Sequence, residues 1–136
     1  MRISTRTRYG IRAMIELAGH YEQEPLQLRI IAERQGISRR YLEQQMAVLC
    51  SSALVRGVRG VKGGYMLAKA PAEIRLSEVF HCMEGQVVTS ECVDDPDACD
   101  RAIDCVVGKI WADVEESVNN VLDAVTLGDM VDRMQK

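Results

Sequence analysis

Between Glu91 and Cys105 the chain reads ECVDDPDACDRAIDC, which gathers Cys92, Cys99 and Cys105 into one acidic stretch. Six residues separate the first two thiols and five the last two. Glu91, Asp94, Asp95, Asp97, Asp100 and Asp104 surround them, and Pro96 interrupts any regular element. With so little apolar surface, this segment cannot be held by a core of its own. Three closely spaced thiols suggest a metal, since thiolates are ligands for iron–sulfur clusters and for tetrahedral zinc. Cys50 and Cys82 fall in apolar helical patterns and read instead as small buried hydrophobes. His20 and His81 are the only imidazoles, no nucleophile–base pair stands out, and the chain is read as a non-enzyme.

The segments before this stretch point to nucleic acid. Residues 1–70 hold 12 Lys/Arg and 5 Asp/Glu (+7), and residues 71–136 hold 5 and 15 (−10), which together give the overall −3. A basic front half is the electrostatic footprint of a polyanion partner. After Glu24-Pro25, the run LQLRIIAERQGISRRYLEQQMAVLCSSALV predicts two helices joined at Gly36. Ala32 is small enough for close helix approach, Gly36 takes the positive φ of the turn, Ile37 packs inward and Ser38 caps the second helix. Leu42, Met46 and Leu49 form that helix's apolar face. This is the helix-turn-helix pattern, whose second helix enters the major groove. Ser38, Arg39, Arg40, Tyr41, Glu43 and Gln44 lie on its N-terminal outer face as candidate readers, with Arg matching guanine, Gln adenine and Glu cytosine. In LVRGVRGVKGGYML, valines alternate with Arg56, Arg59 and Lys62 between glycines. That predicts a two-stranded β wing with a basic tip suited to the narrow minor groove.

Other elements must position these residues. Ile11, Met14, Ile15 and Ala18 recur at helical spacing in a first helix capped by Ser4 or Thr5. Arg2, Arg6, Arg8 and Arg12 load its beginning with positive charge against the helix dipole, which makes Arg2 and Arg8 candidate phosphate contacts. Ser77 to Met83 predict a short amphipathic helix on the winged domain. From Ile103, apolar residues recur every three or four positions through Val107, Ile110, Val114, Val118, Val121 and Val125. A helix that long has a stripe too extended for one small domain, and a second copy of the chain is the simplest cover. Thr126 and Asp129 are spaced as the capping box of a final helix.

Hydrophobic residues make up 47% of the chain but aromatics only 4%, a mixture that favours helices over a β-sandwich. The expected fold is mainly α: a winged helix-turn-helix with a two-stranded β wing and a long C-terminal dimerisation helix. It divides into a DNA-binding domain (1–84), a cysteine loop (85–105), and a dimerisation helix with a final helix (106–136). The opening MRISTRTRYG lacks the apolar stretch of a secretory signal, and no run is apolar enough to span a bilayer. The expected location is the cytoplasm, where thiols remain reduced and clustered cysteines read as ligands or sensors.

Several motifs together resemble one family. They are MRIST with Arg8-Tyr9, ERQGIS at Glu33–Ser38, YLEQ at Tyr41–Gln44, VRG and GGY within Val58–Tyr65, the three cysteines, Trp111, and TLGDMV at Thr126–Val131. The chain is similar along nearly its whole length to the iron–sulfur cluster regulator (IscR) family of bacterial winged-helix repressors. That family also includes nitric-oxide-sensing and cysteine-metabolism relatives. The resemblance implies a homodimer on double-stranded operator DNA, with an iron–sulfur cluster on Cys92, Cys99 and Cys105, [2Fe–2S] ahead of [4Fe–4S]. Close members carry a histidine three residues after the last cysteine, where this chain has Gly108. Nitric-oxide-sensing members use a carboxylate at the position of Arg8 instead, and arginine cannot ligate either. Glu91, Asp104, a partner subunit's His20, or an exogenous thiol or water are the remaining candidates for a fourth ligand. A zinc- or thiol-switched repressor without a cluster is the alternative reading.

Overall fold

The computed structural model describes residues 1–136. Its order is α1 (Thr5–Gly19), α2 (Leu28–Gln35), α3 (Arg39–Ser51), β1 (Val55–Val58), β2 (Gly64–Leu67), a 3-10 turn (Pro71–Glu73), α4 (Leu76–Glu84), α5 (Glu91–Asp94), a second 3-10 turn (Pro96–Ala98), α6 (Val106–Ala124) and α7 (Leu127–Met134). The architecture is the expected mainly helical winged helix-turn-helix.

Local chemistry explains most boundaries. Ser4 caps α1 by accepting from Thr7 N, and Ser38 caps α3 by accepting from Tyr41 N. Gly36 ends α2 with φ 64°, and its neighbour Ile37 is buried. Thr126 and Asp129 form the reciprocal capping box of α7. The head closes over one core in which Met14, Ile31, Leu42, Met46, Leu49 and Ile74 are fully enclosed. Cys50 packs on that core, and burial pushes its thiol pKa up, in keeping with a hydrophobe rather than a ligand. Cys82 also packs there, its sulfur 2.9 Å from Oγ of Ser52, the C-cap of α3. His81 is exposed and meets Asn119 Oδ1 of α6 at 3.3 Å.

β1 and β2 pair antiparallel from Val55↔Leu67 to Val58↔Gly64. Leu26 adds one bridge on the outer side of β2, exchanging both backbone bonds with Tyr65 at 3.0 and 2.9 Å. A Cβ on Gly64 would stand 2.5 Å from Leu26 O, so only glycine permits this approach. The wing is thereby fastened to the start of α2.

α6 behaves differently from every other long helix, because none of its residues is buried within the chain. It begins later than the apolar pattern suggested: Cys105 is its N-cap, leaving Ile103 exposed in the preceding turn. Its far end returns to the head through Leu76 N→Val125 O (2.8 Å) and Leu127 N→Ile74 O (2.9 Å). Leu127 is fully buried in the head core, so α7 packs back on α1 and the Pro71–Glu73 turn.

Two carboxylates hold helix ends and make the head acid-sensitive. Hydrogen bonds from Ser4 and Thr7 hold the Glu84 carboxyl below its usual range, and the Thr126 backbone N–H does the same for Asp129. A carboxylate with a depressed folded pKa contributes stability that is present above its unfolded pKa, about 4.3 for Glu and 3.9 for Asp. That stability is lost as pH falls through the folded value. Melting temperature is therefore expected to hold near neutrality and to fall below about pH 5, with a shallower acid limb in Glu84→Gln. Identical acid limbs would remove Glu84 from the explanation.

Candidate nucleic-acid interface and thiol site

At the head of α3, Arg39, Arg40, Glu43 and Gln44 are exposed, and Ser38 shares that surface while its oxygen caps the helix. Tyr41 differs from its neighbours. It is half-buried, with its ring edge-on to Tyr9 at 5.7 Å and 87°. Packing thus occupies much of a side chain that the sequence places among the readers.

Arg56, Arg59 and Lys62 are exposed on the wing, and Val61 at its tip is 97% exposed. A valine so open to solvent has nothing within the chain to pack against. Between the wing and the first turns of α2 and α3 runs an open groove of about 500 Å³, lined by Arg39, Arg59, Tyr65, Gln27 and Arg29. Sequence reasoning did not single out Gln27 or Arg29. The available signal was position, since residues at the start of a helix-turn-helix's first helix face the same side as the second helix's N-terminus. Arg29 is held only by exposed bonds to Glu33 and Gln27 at 3.5 and 3.4 Å, so its guanidinium remains free to turn to a phosphate.

Of the N-terminal arginines, Arg2 is exposed and Arg8 is exposed with a bond to Thr5 Oγ1 at 3.1 Å. Arg12 has a structural task. It donates to Gln35 Oε1 (2.7 Å) and to the Gln35 carbonyl (2.9 Å), satisfying the C-terminal end of α2. The anion wanted at the N-terminus of α1 is supplied within the chain by Glu84, so its basic charge does not require phosphate as the only answer.

The thiols sit at the foot of α6. Cys92 lies on α5, and its sulfur is 3.1 Å from Ser90 Oγ. Cys105 Sγ accepts from Gly108 N at 3.4 Å. A Cβ on Gly108 would lie 3.8 Å from Cys105 Sγ and 3.9 Å from Cys92 Sγ, so residue 108 opens between the two sulfurs. Cys99 is exposed after the Pro96–Ala98 turn, on a segment with no buried side chain to hold it. No three His, Cys, Asp or Glu side chains come together in an arrangement that could hold a metal ion. Cys92 and Cys105 are brought together, whereas Cys99, Glu91, Asp104 and His20 do not join them. The donor set still suits a thiophilic group: the sulfurs of Cys92 on α5 and Cys105 at the N-cap of α6 both face Gly108, and the third thiol is exposed on the segment that joins them.

A basic recognition helix, a basic wing and a thiol-bearing loop under an uncovered helix define a DNA-binding transcriptional regulator rather than an enzyme. Comparison with known proteins gives the family. The model "Rrf2: Iron-dependent Transcriptional regulator" matches residues 3–133. The chain is 35% identical to the HTH-type transcriptional regulator IscR of Serratia proteamaculans, over 96% of this chain and 79% of that one. It is equally 35% identical to CymR of Bacillus subtilis, over 96% and 89%. Among solved structures, CymR, the global cysteine regulator of B. subtilis, matches with TM-score 0.85 at 33% identity over 98% of both chains. T. potens IscR matches with TM-score 0.80 at 37% identity, over 98% of this chain and 88% of that one. The protein belongs to the Rrf2 family of transcriptional regulators. No helix is long and apolar enough to cross a membrane.

Proposed function

We propose that the protein is a homodimeric regulator whose affinity for operator DNA depends on an iron–sulfur cluster held by Cys92, Cys99 and Cys105. The observation that carries this reading is the position of Cys92 and Cys105 about Gly108, on the first turn of the one long helix with no fully buried residue. When bound, the cluster supplies iron centres sensitive to iron supply, oxidants and nitric oxide.

The chain's own residues supply the rest. Arg39, Arg40, Glu43 and Gln44 read base edges, and Arg56, Arg59 and Lys62 hold the flanking backbone. Glu43 acts as a filter, because a carboxylate near phosphate is tolerated only where a cytosine amino group satisfies it. Val107, Ile110, Val114 and Val121 on α6 meet a second copy of the chain, which spaces two recognition helices for two half-sites. Cys92 and Cys105 fix the foot of α6, and Thr126 and Leu127 tie its other end to the head. Drawing Cys99 toward them orders the loop and changes the tilt of α6 against the head, and DNA affinity follows by linkage.

One set of measurements tests this. Protein purified anaerobically is expected to be brown or red, with iron and acid-labile sulfide in equal amounts. Holo-protein, apo-protein and Cys92→Ala should differ about tenfold or more in affinity for a duplex selected from a random-sequence pool, a coupling of about 1.4 kcal/mol. Equal affinity and site preference in all three would sink the coupling. A second reading, a zinc or thiol switch, draws support from the same adjacent pair, because two neighbouring thiols also suit zinc or oxidation. Colourless protein containing zinc, or containing no metal, would favour it.

A further inference from the structure

We propose that Glu84 is a positioning residue that sets the arginine-bearing N-terminal arm on DNA and links that arm to the cysteine loop. The inference rests on the reading of Arg2 and Arg8 as phosphate contacts. Glu84 is the last residue of α4, yet its partners lie at the opposite end of the head's sequence. Its carboxylate accepts from Ser4 N at 3.3 Å, from Ser4 Oγ at 2.6 Å and from the hydroxyl of Thr7. Ser4 Oγ in turn accepts from Thr7 N at 3.2 Å as the cap of α1, and Thr7 is fully buried. One carboxylate therefore fixes the first turn of α1 and the direction in which the chain enters it. Met1, Arg2 and Ile3 before that point are all exposed. Arg2 and Glu84 line the same small crevice beside Phe80 and Val88.

A surface carboxylate this close to a DNA-facing arm would ordinarily repel phosphate. Here its charge is committed to hydroxyls, a backbone N–H and the positive end of the α1 dipole, and Arg6 lies near enough to share it. The segment after Glu84 is short and held at its far end. Val87 is buried, and Thr89 donates through its N–H to Glu115 Oε1 (2.6 Å) and through its hydroxyl to the Trp111 carbonyl (3.3 Å) of α6. Ser90 then contacts the Cys92 sulfur. Residues 85–88 thus run as a strap between a clamp on the DNA arm and a clamp on α6 beside the thiols.

The test measures binding of wild type, Glu84→Gln, Arg2→Ala and the double variant to a duplex selected from a random-sequence pool, as a function of salt. Circular dichroism and sedimentation confirm fold and assembly. Glu84→Gln is expected to bind about tenfold more weakly, with a salt slope shallower by about one. Arg2→Ala should do the same, and the double variant should add nothing further. Ser4→Ala, which leaves the carboxylate but removes one of its two hydroxyl partners, should also give the shallower slope, so the result does not depend on one variant folding well. Additive losses, or a wild-type slope in Glu84→Gln and Ser4→Ala, overturn the clamp. A loss in Arg2→Ala alone overturns only the clamp, whereas no change in any variant removes the arm reading with it.

Discussion

Gly63→Ala is expected to unmake the wing. Gly63 lies at the base of its tip, where its N–H donates to Gly60 O at 3.0 Å. A Cβ there would collide with the Val58 carbonyl oxygen and would stand 2.9 Å from both Arg59 C and Gly60 O. All three are backbone atoms of the same tight turn, so they cannot yield as a side chain would. Relief requires opening the Val58↔Gly64 pair, which also loosens the hold of β2 on Leu26. The expected cost is about 1–3 kcal/mol of stability, the range for overpacking a closed site. The larger effect falls on DNA. Arg59 and Lys62 flank the collision and would lose their place against the backbone, lowering operator affinity by about tenfold per lost contact pair and flattening the salt dependence. Gly57→Ala is the matched control on the same wing, since its Cβ would meet only Tyr65 Cε1, at 3.9 Å. Thermal melts and fluorescence anisotropy decide the matter: Gly63→Ala with wild-type stability and affinity would show that the turn relaxes freely.

Ile110→Glu is expected to leave the single chain folded and to destroy the assembly. Ile110 is 52% exposed and Trp111 42%, and they share α6 with Val121 at 64%. Each side chain of this size gains about 1.5–3 kcal/mol on full burial, so a continuous stripe of them strongly favours a partner. A carboxylate in that seam must be desolvated without a counter-charge, which costs more than the isoleucine gained. Because the head core excludes Ile110, the chain should stay folded by circular dichroism, with melting lowered only by the loss of the dimer's stabilisation. Sedimentation should show a monomer, and operator affinity should fall by about a hundredfold or more once the two half-sites are no longer bound by one molecule. A dimer of unchanged affinity would place the interface elsewhere.

The legible features share a property. Ser38 capping α3, Gly36 turning between α2 and α3, and Thr126 paired with Asp129 are interactions within three or four residues, where type and spacing are nearly the whole cause. The wing was legible for a similar reason, as strand alternation and glycine punctuation are local. The thiol site was legible only in part. All three cysteines were read as one set, but Cys105 is placed by capping α6 and Cys92 by the packing of α5 on α6, while the side chain of Cys99 is left exposed. Arg12 illustrates what charge alone does not show: it stands among the basic residues opening α1, and its geometry makes it the cap of a neighbouring helix.

The sequence by itself determined the kind of protein: the helical periods, the turn and cap residues, the basic wing and the clustered thiols each depend on near neighbours. The tertiary structure alone decided how those parts are joined. Glu84 reaches Ser4 across 80 residues of chain, Leu26 edges a wing built from residues 55–67, and α7 returns to seal the core while α6 keeps its apolar stripe exposed. Such contacts depend on where the fold brings distant backbone segments, and no local pattern of residue types records that.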